Sequence, residues 1–106
     1  MLARYLVDAS GLMGANAVSF LSRRTFVDRL IGVARRFTCV SRSHYMLIEA
    51  VDDGWFYSAH LPDGGFVTVY FTDADIYSHG RKAQGDYWRY QVQKTSHTQE
   101  RLRDSV

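Results

Sequence analysis

The chain has 106 residues, 46% of them hydrophobic, one proline and a formal net charge of +2. That composition excludes a disordered chain and gives one small domain with one core. The charge is too small for a nucleic-acid track, and no apolar run approaches the length of a membrane span. In chain order, Tyr5-Leu6-Val7 is a short apolar run that ends at Asp8-Ala9-Ser10-Gly11. Its pattern is that of a parallel strand ending in small residues, which let a ligand approach the backbone of a nucleotide-binding sheet. The start lacks the long apolar region and cleavage site of a signal peptide. Leu12 to Arg24 is rich in small residues and turns helical at Val18, Phe20 and Leu21.

Thr25 to Val40 supports two readings. Phe26, Leu30, Val33, Ala34 and Phe37 fit a helical stripe, and periodicity leans that way. Val27, Arg29, Ile31, Val33, Arg35 and Phe37 also alternate, and the β-branched residues favour a strand. Arg23-Arg24 and Arg35-Arg36 are short basic pairs on solvated faces. Cys39 has no second cysteine to bond and suits a reducing cytoplasm, most simply as a small strand residue. Ser41 to His44 reads as a loop.

The densest aromatic stretch runs from Trp55 to Phe66. Trp55, Tyr57, Ala59 and Leu61 share one face, with Phe56, Ser58 and His60 on the other. Asp53-Gly54 and Pro62-Asp63-Gly64-Gly65 supply a reversal on each side. A three-stranded antiparallel meander from about Tyr45 to Thr72 follows, with Trp55, Tyr57 and Leu61 as its buried stripe. Thr72-Asp73-Ala74-Asp75 starts a short helix that Gly80 ends. Asp86 caps a second helix with Trp88 and Val92, joined by Tyr87 and Gln91, on its inner side. Ser96-His97-Thr98-Gln99 has the spacing of a third helix start, and the residues from Arg101 onward read as frayed.

Candidate sites are few. His44, His60, His79 and His97 do not fall at metal-ligand spacing with Cys39, so no metal site is expected. His60 borders a turn opposite the Trp55 face, but no nucleophile pairs with it and no catalytic residue is identified. Trp55 and Tyr57 are substrate-pocket candidates with His60, although aromatic stripes on strands are more often core. Asp53 is explained by its turn, Asp73 and Asp75 by a helix start, and Glu49 by a strand face that points to water.

Five blocks in order carry a resemblance over nearly the whole chain. They are Leu6-Val7-Asp8-Ala9-Ser10-Gly11, Asp28-Arg29-Leu30-Ile31-Gly32, the run Ile48 to Ala59, Leu61-Pro62-Asp63-Gly64, and Phe71-Thr72-Asp73-Ala74-Asp75. Together they resemble the middle of an FAD-dependent oxidoreductase of the tryptophan-halogenase and aromatic-hydroxylase-like superfamily. The resemblance implies that Asp8, Ser10 and Gly11 lie beside the flavin diphosphate and that Thr25 to Thr38 is a strand. It also implies a remnant of the flavin domain over residues 1–24 (strand, Asp-Ala-Ser-Gly loop, short helix). Residues 25–106 are then a substrate-domain-like sheet with C-terminal helices. Trp55 matches the first Trp of the halogenases' Trp-x-Trp-x-Ile-Pro pattern, but Tyr57, Ala59 and His60 replace the second Trp, the Ile and the Pro. These departures favour the broader set of flavin oxidoreductases.

The Gly-x-Gly-x-x-Gly fingerprint of a dinucleotide fold is missing, as is the family's later Gly-Asp block. The expected fold is therefore α+β: an antiparallel meander with a longer extra strand and C-terminal helices, without a complete Rossmann-type flavin domain. The expected function is that of a fragment of a monooxygenase- or halogenase-like flavoprotein. FAD belongs to the full-length relatives and is not expected to bind this chain tightly. Expected partners are an apolar or aromatic small substrate, a second copy or a missing flavin domain, without nucleic acid or membrane, in the cytoplasm. The alternative is a small non-enzymatic α+β interaction module.

Overall fold

The computed structural model describes residues 2–7, 9, 11, 25–38 and 45–103. Four strands form one sheet: β1 (Leu30–Thr38), β2 (Leu47–Val51), β3 (Gly54–His60) and β4 (Gly65–Asp73). Their order is β1-β4-β3-β2, and every neighbouring pair is antiparallel. Three helices follow: α1 (Ala74–Gln84), α2 (Tyr87–Val92) and α3 (His97–Arg103). The architecture is the expected α+β, a meander with a longer extra strand and C-terminal helices. The extra strand starts at Leu30, with residues 25–29 exposed ahead of it. Alternation prevailed over the helical stripe in this segment because β4 offers a full edge, with nine residues of β1 in register from Leu30 opposite Asp73 to Thr38 opposite Gly65.

The turns form where the sequence places them. Leu61 and Gly65 close the β3–β4 reversal with an N–H to carbonyl bond of 2.8 Å, and the Asp63 carboxylate accepts from the Gly65 N–H at 2.9 Å. The β2–β3 reversal is held from below, where the hydroxyls of Tyr70 and Thr72 both donate to the Asp53 carbonyl. Thr72 is thus committed to that turn and does not cap α1. The cap is Asp73, whose side chain accepts from the Asp75 N–H at 2.8 Å.

Helix α1 also runs through Gly80 and ends at Gly85, which has a φ of +70°. Gly80 has a packing role instead: a Cβ there would lie 2.4–2.5 Å from the Tyr87 ring. Asp86 caps α2 as expected, accepting from the Arg89 N–H at 3.2 Å, and Tyr87, Trp88, Gln91 and Val92 are buried.

The core lies between the helices and one face of the sheet. Phe56 and Tyr70 are fully buried and stack at 4.8 Å, and Trp88 meets Phe56 edge-on at 5.6 Å. Tyr87 and Val92 complete the cluster, with Val33, Phe37, Val51, Tyr77 and Leu102 packed around it. Each fully buried aromatic ring contributes about 3 kcal/mol of apolar transfer free energy.

The covered stripe is therefore Phe56, Ser58 and His60, the reverse of the expected Trp55, Tyr57 and Leu61. Alternation separates two faces of a strand, but both faces of β3 are aromatic. The side that is covered was decided by where Tyr87 and Trp88 land.

The C-terminal end is more firmly held than expected. Arg101 lies 4.6 Å over the Tyr45 ring and 5.0 Å from the Phe66 ring, and it donates to the Tyr45 carbonyl at 2.6 Å and to Ser58 Oγ at 3.0 Å. At the other end, Leu2, Tyr5 and Val7 are almost fully exposed, and residues 2–7 belong to no helix or strand. Cys39, His44 and nearly all of residues 8–24 lie outside the described residues. No helix among the described residues is long and apolar enough to cross a membrane.

Candidate functional site

The strand register assigns every side chain to one of two faces. On the face away from the helices, one row runs Gly32, Phe71, Trp55, Ala50, and the next runs Ala34, Val69, Tyr57, Ile48. A third runs Arg36, Val67, Ala59. The helices reach the sheet on the opposite face, through Trp88 on Phe37 and Phe56, Tyr87 on Tyr70, and Arg101 on Phe66. The helix-free face leaves Ile48 60% and Trp55 36% exposed, with Tyr57, Val67, Val69 and Phe71 half-buried. Trp55 and Phe71 stack across the strands, centroids 5.4 Å apart and planes 18° apart. A contiguous apolar face of this kind is a candidate binding surface. These three rows hold no carboxylate, imidazole or thiol, and the row beyond them, Leu30 and Asp73, adds a carboxylate that the Asp75 N–H occupies; Tyr57 supplies a hydroxyl, and Arg36 at one end pairs with Asp63.

The three pocket candidates are divided by this geometry. Trp55 and Tyr57 lie together on the open face. His60 lies on the helix-covered face, its ring 5.1 Å from Phe66 and tilted by 50°. Of the flavin-side candidates, Asp8 and Ser10 lie outside the described residues. Gly11 has a φ of +83° and open space around it. Among the described residues no group of His, Cys, Asp or Glu has the arrangement of a metal site.

The helix layer carries the polar chemistry that pattern reading missed. Glu49 does not point to water. Its carboxylate accepts from the N–H groups of Ser96 at 3.0 Å, His97 at 3.1 Å and Thr98 at 2.8 Å, and so caps α3 from a neighbouring strand. Burial works against the Glu49 charge, but these donors outweigh it and lower its pKa from 4.5 to about 2. The available signal was parity, because Glu49 shares a face with Leu47 and Val51 and stands opposite the buried Phe56.

Asp86 takes a two-pronged bond from Arg35, at 2.7 and 3.1 Å, which holds its carboxyl below the usual range and ties β1 to α2. Arg35 also lies 4.5 Å over the Trp88 ring, and the Trp88 indole donates to the Val33 carbonyl at 3.1 Å. Beneath the β2–β3 turn, the Tyr87 hydroxyl donates to Asp53 Oδ2 at 3.1 Å and accepts from Gln91 at 2.6 Å. Burial, with Asp53 beside it, pushes the Tyr87 hydroxyl up to about 12.

These contacts bear on the flavin. A diphosphate is held by a free helix N-terminus with open N–H groups. The three described helices present none, since Asp73, Asp86 and Glu49 each place a carboxylate at a helix start. Among the described residues, nothing lies within 4 Å of where a Cβ on Gly11 would stand. Among the described residues, then, no helix start is free to hold the phosphates of FAD, and the candidates Asp8 and Ser10 lie outside them.

The geometry so far defines a small α+β unit with one face under helices and an apolar face left open. This chain is similar to the "Putative FAD-dependent oxidoreductase LodB" of Marinomonas mediterranea, with 31% identity over 94 residues. The matched region is 87% of this chain and 26% of that protein, so the chain spans about a quarter of the length of the curated relative it matches. The likeness supports a relationship to FAD-dependent oxidoreductases in the broad sense. No protein-family model matches the chain, and no solved structure matches it.

Proposed function

We propose that this chain is the substrate-side sheet of an FAD-dependent oxidoreductase of the monooxygenase or halogenase-like kind, and that its open face receives the aromatic or apolar part of a substrate. The observation that carries this reading is the pair of unequal faces. One is sealed by α1–α3, and the other presents Trp55, Tyr57 and Phe71 without a helix over them. The likeness to the Marinomonas protein supplies the class of reaction. In that reading residues 1–24 are the flavin-domain remnant, with Asp8, Ser10 and Gly11 on the flavin side, and His60 is a core-side residue outside the pocket. When bound, the flavin supplies the redox chemistry. Trp55 and Tyr57 hold a flat or apolar group in place, and the apolar rows exclude water from it. Orientation is this chain's contribution.

The test is a titration of the isotope-labelled chain with indole, followed by amide NMR shifts. Shifts clustered at Gly32, Trp55, Tyr57, Val69 and Phe71 are expected. Shifts clustered on the helix layer instead, around Tyr77 and Tyr90, would contradict the reading.

A further inference from the structure

We propose that Gly32 is a positioning residue that makes the open face selective for flat aromatic groups over aliphatic ones; this rests on the substrate-side reading of that face. Gly32 stands opposite Phe71 on β4, and Phe71 stands opposite Trp55 on β3. A Cβ on Gly32 would lie 2.8 Å from Phe71 Cε1, 3.2 Å from Cδ1, and 3.1 Å from Val69 Cγ1. The Phe71 ring therefore fills the space over β1 that the side chain of any other residue would need. Phe71 leans across its neighbouring strand, and Trp55 shares the inclination, their planes differing by 18° at 5.4 Å.

An inclined ring presents its π-face to an incoming group, whereas an upright one presents its edge. Trp55 stays 36% exposed, so the pair is reachable from solvent. A planar π-system gains stacking on such a surface in addition to burial, and an aliphatic group of similar size gains burial alone. A methyl at position 32 forces Phe71 upright or sideways. The obstacle is the end of one ring and not backbone, so the sheet can keep its register while the ring pair is lost.

The experiment measures binding of 2-naphthol and of cyclohexanol to the full chain by ligand-observed NMR, in the natural sequence, Gly32→Ala and Phe71→Leu. The near-ultraviolet circular dichroism of the Trp55–Phe71 pair is recorded alongside. Gly32→Ala is expected to weaken 2-naphthol by about fivefold, the worth of one aromatic stacking contact, with cyclohexanol unchanged and the dichroism altered. Phe71→Leu adds no bulk and must lose the same preference, so the inference stays testable even where Gly32→Ala fails to fold. Equal weakening of both probes, no change, or retention of the preference in Phe71→Leu overturns the role of Gly32 while leaving the substrate-side face standing. Failure of the natural sequence to bind either probe overturns both.

Discussion

Replacing Glu49 with Gln tests how the helix layer is fastened to the sheet. The carboxylate receives three N–H groups from Ser96, His97 and Thr98 and has its pKa lowered from 4.5 to about 2. Each pKa unit of difference between folded and unfolded states is worth ~1.36 kcal/mol, so the ceiling of the linkage contribution is about 3 kcal/mol. Glu49 is only half-buried, and solvent screening brings the figure to about 2 kcal/mol. Gln keeps the size and one acceptor oxygen, but it loses the charge and turns an NH2 group toward donors.

A folded-state pKa below the unfolded one gives stability that is fully present above pH 4.5 and is lost as pH falls through about 2. The expected result at pH 7 is a fall in Tm of about 8–15 °C for Glu49→Gln, from about 2 kcal/mol in a domain of this size. The gap between the two proteins should close as pH is lowered from 4.5 towards 2. Thermal unfolding followed by circular dichroism at several pH values gives both readings. A Glu49→Gln protein that melts with the natural one at pH 7, or a gap that stays constant with pH, would refute the capping argument.

Two further substitutions probe the same layer. Gly80→Ala places a methyl 2.4–2.5 Å from the Tyr87 ring, and overpacking of this kind should cost about 1–3 kcal/mol in urea unfolding, against the slight gain that alanine brings to an open helix position. Tyr87→Phe removes the donor to Asp53 and the acceptor for the fully buried Gln91, which should cost about 1–3 kcal/mol by the same measurement.

The meander was legible in the sequence because its signals are local. Asp53-Gly54 and Pro62 to Gly65 fix the reversals, and the β-branched and aromatic residues between them alternate. The Asp86 cap and the inner residues of α2 are local in the same sense. The misreadings concern contacts between one element and another. Thr72 looked like a cap until the Asp53 carbonyl claimed its hydroxyl, 19 positions away. Gly80 looked like a stop until a ring from the next helix explained the missing side chain. Glu49 looked solvated and Arg101 frayed because their partners lie more than 40 positions away in the chain. Of the site, Trp55 and Tyr57 were visible as a pair on one face. Phe71 joins them only through the β3–β4 register, and the place of His60 on the covered face follows once the helices have chosen that face.

The most direct test of the central claim is a chimera. The segment of the Marinomonas mediterranea relative that matches this chain, 26% of that protein, is replaced by the corresponding residues of this chain, and the purified product is examined for bound flavin by its visible absorption. The account predicts a folded chimera that retains flavin, because in the proposed reading this chain supplies the substrate-side sheet, with Asp8, Ser10 and Gly11 on the flavin side, and the rest of the protein supplies the remainder of the cofactor site. A folded, soluble chimera without flavin absorption, prepared alongside a relative that carries it, would contradict that claim.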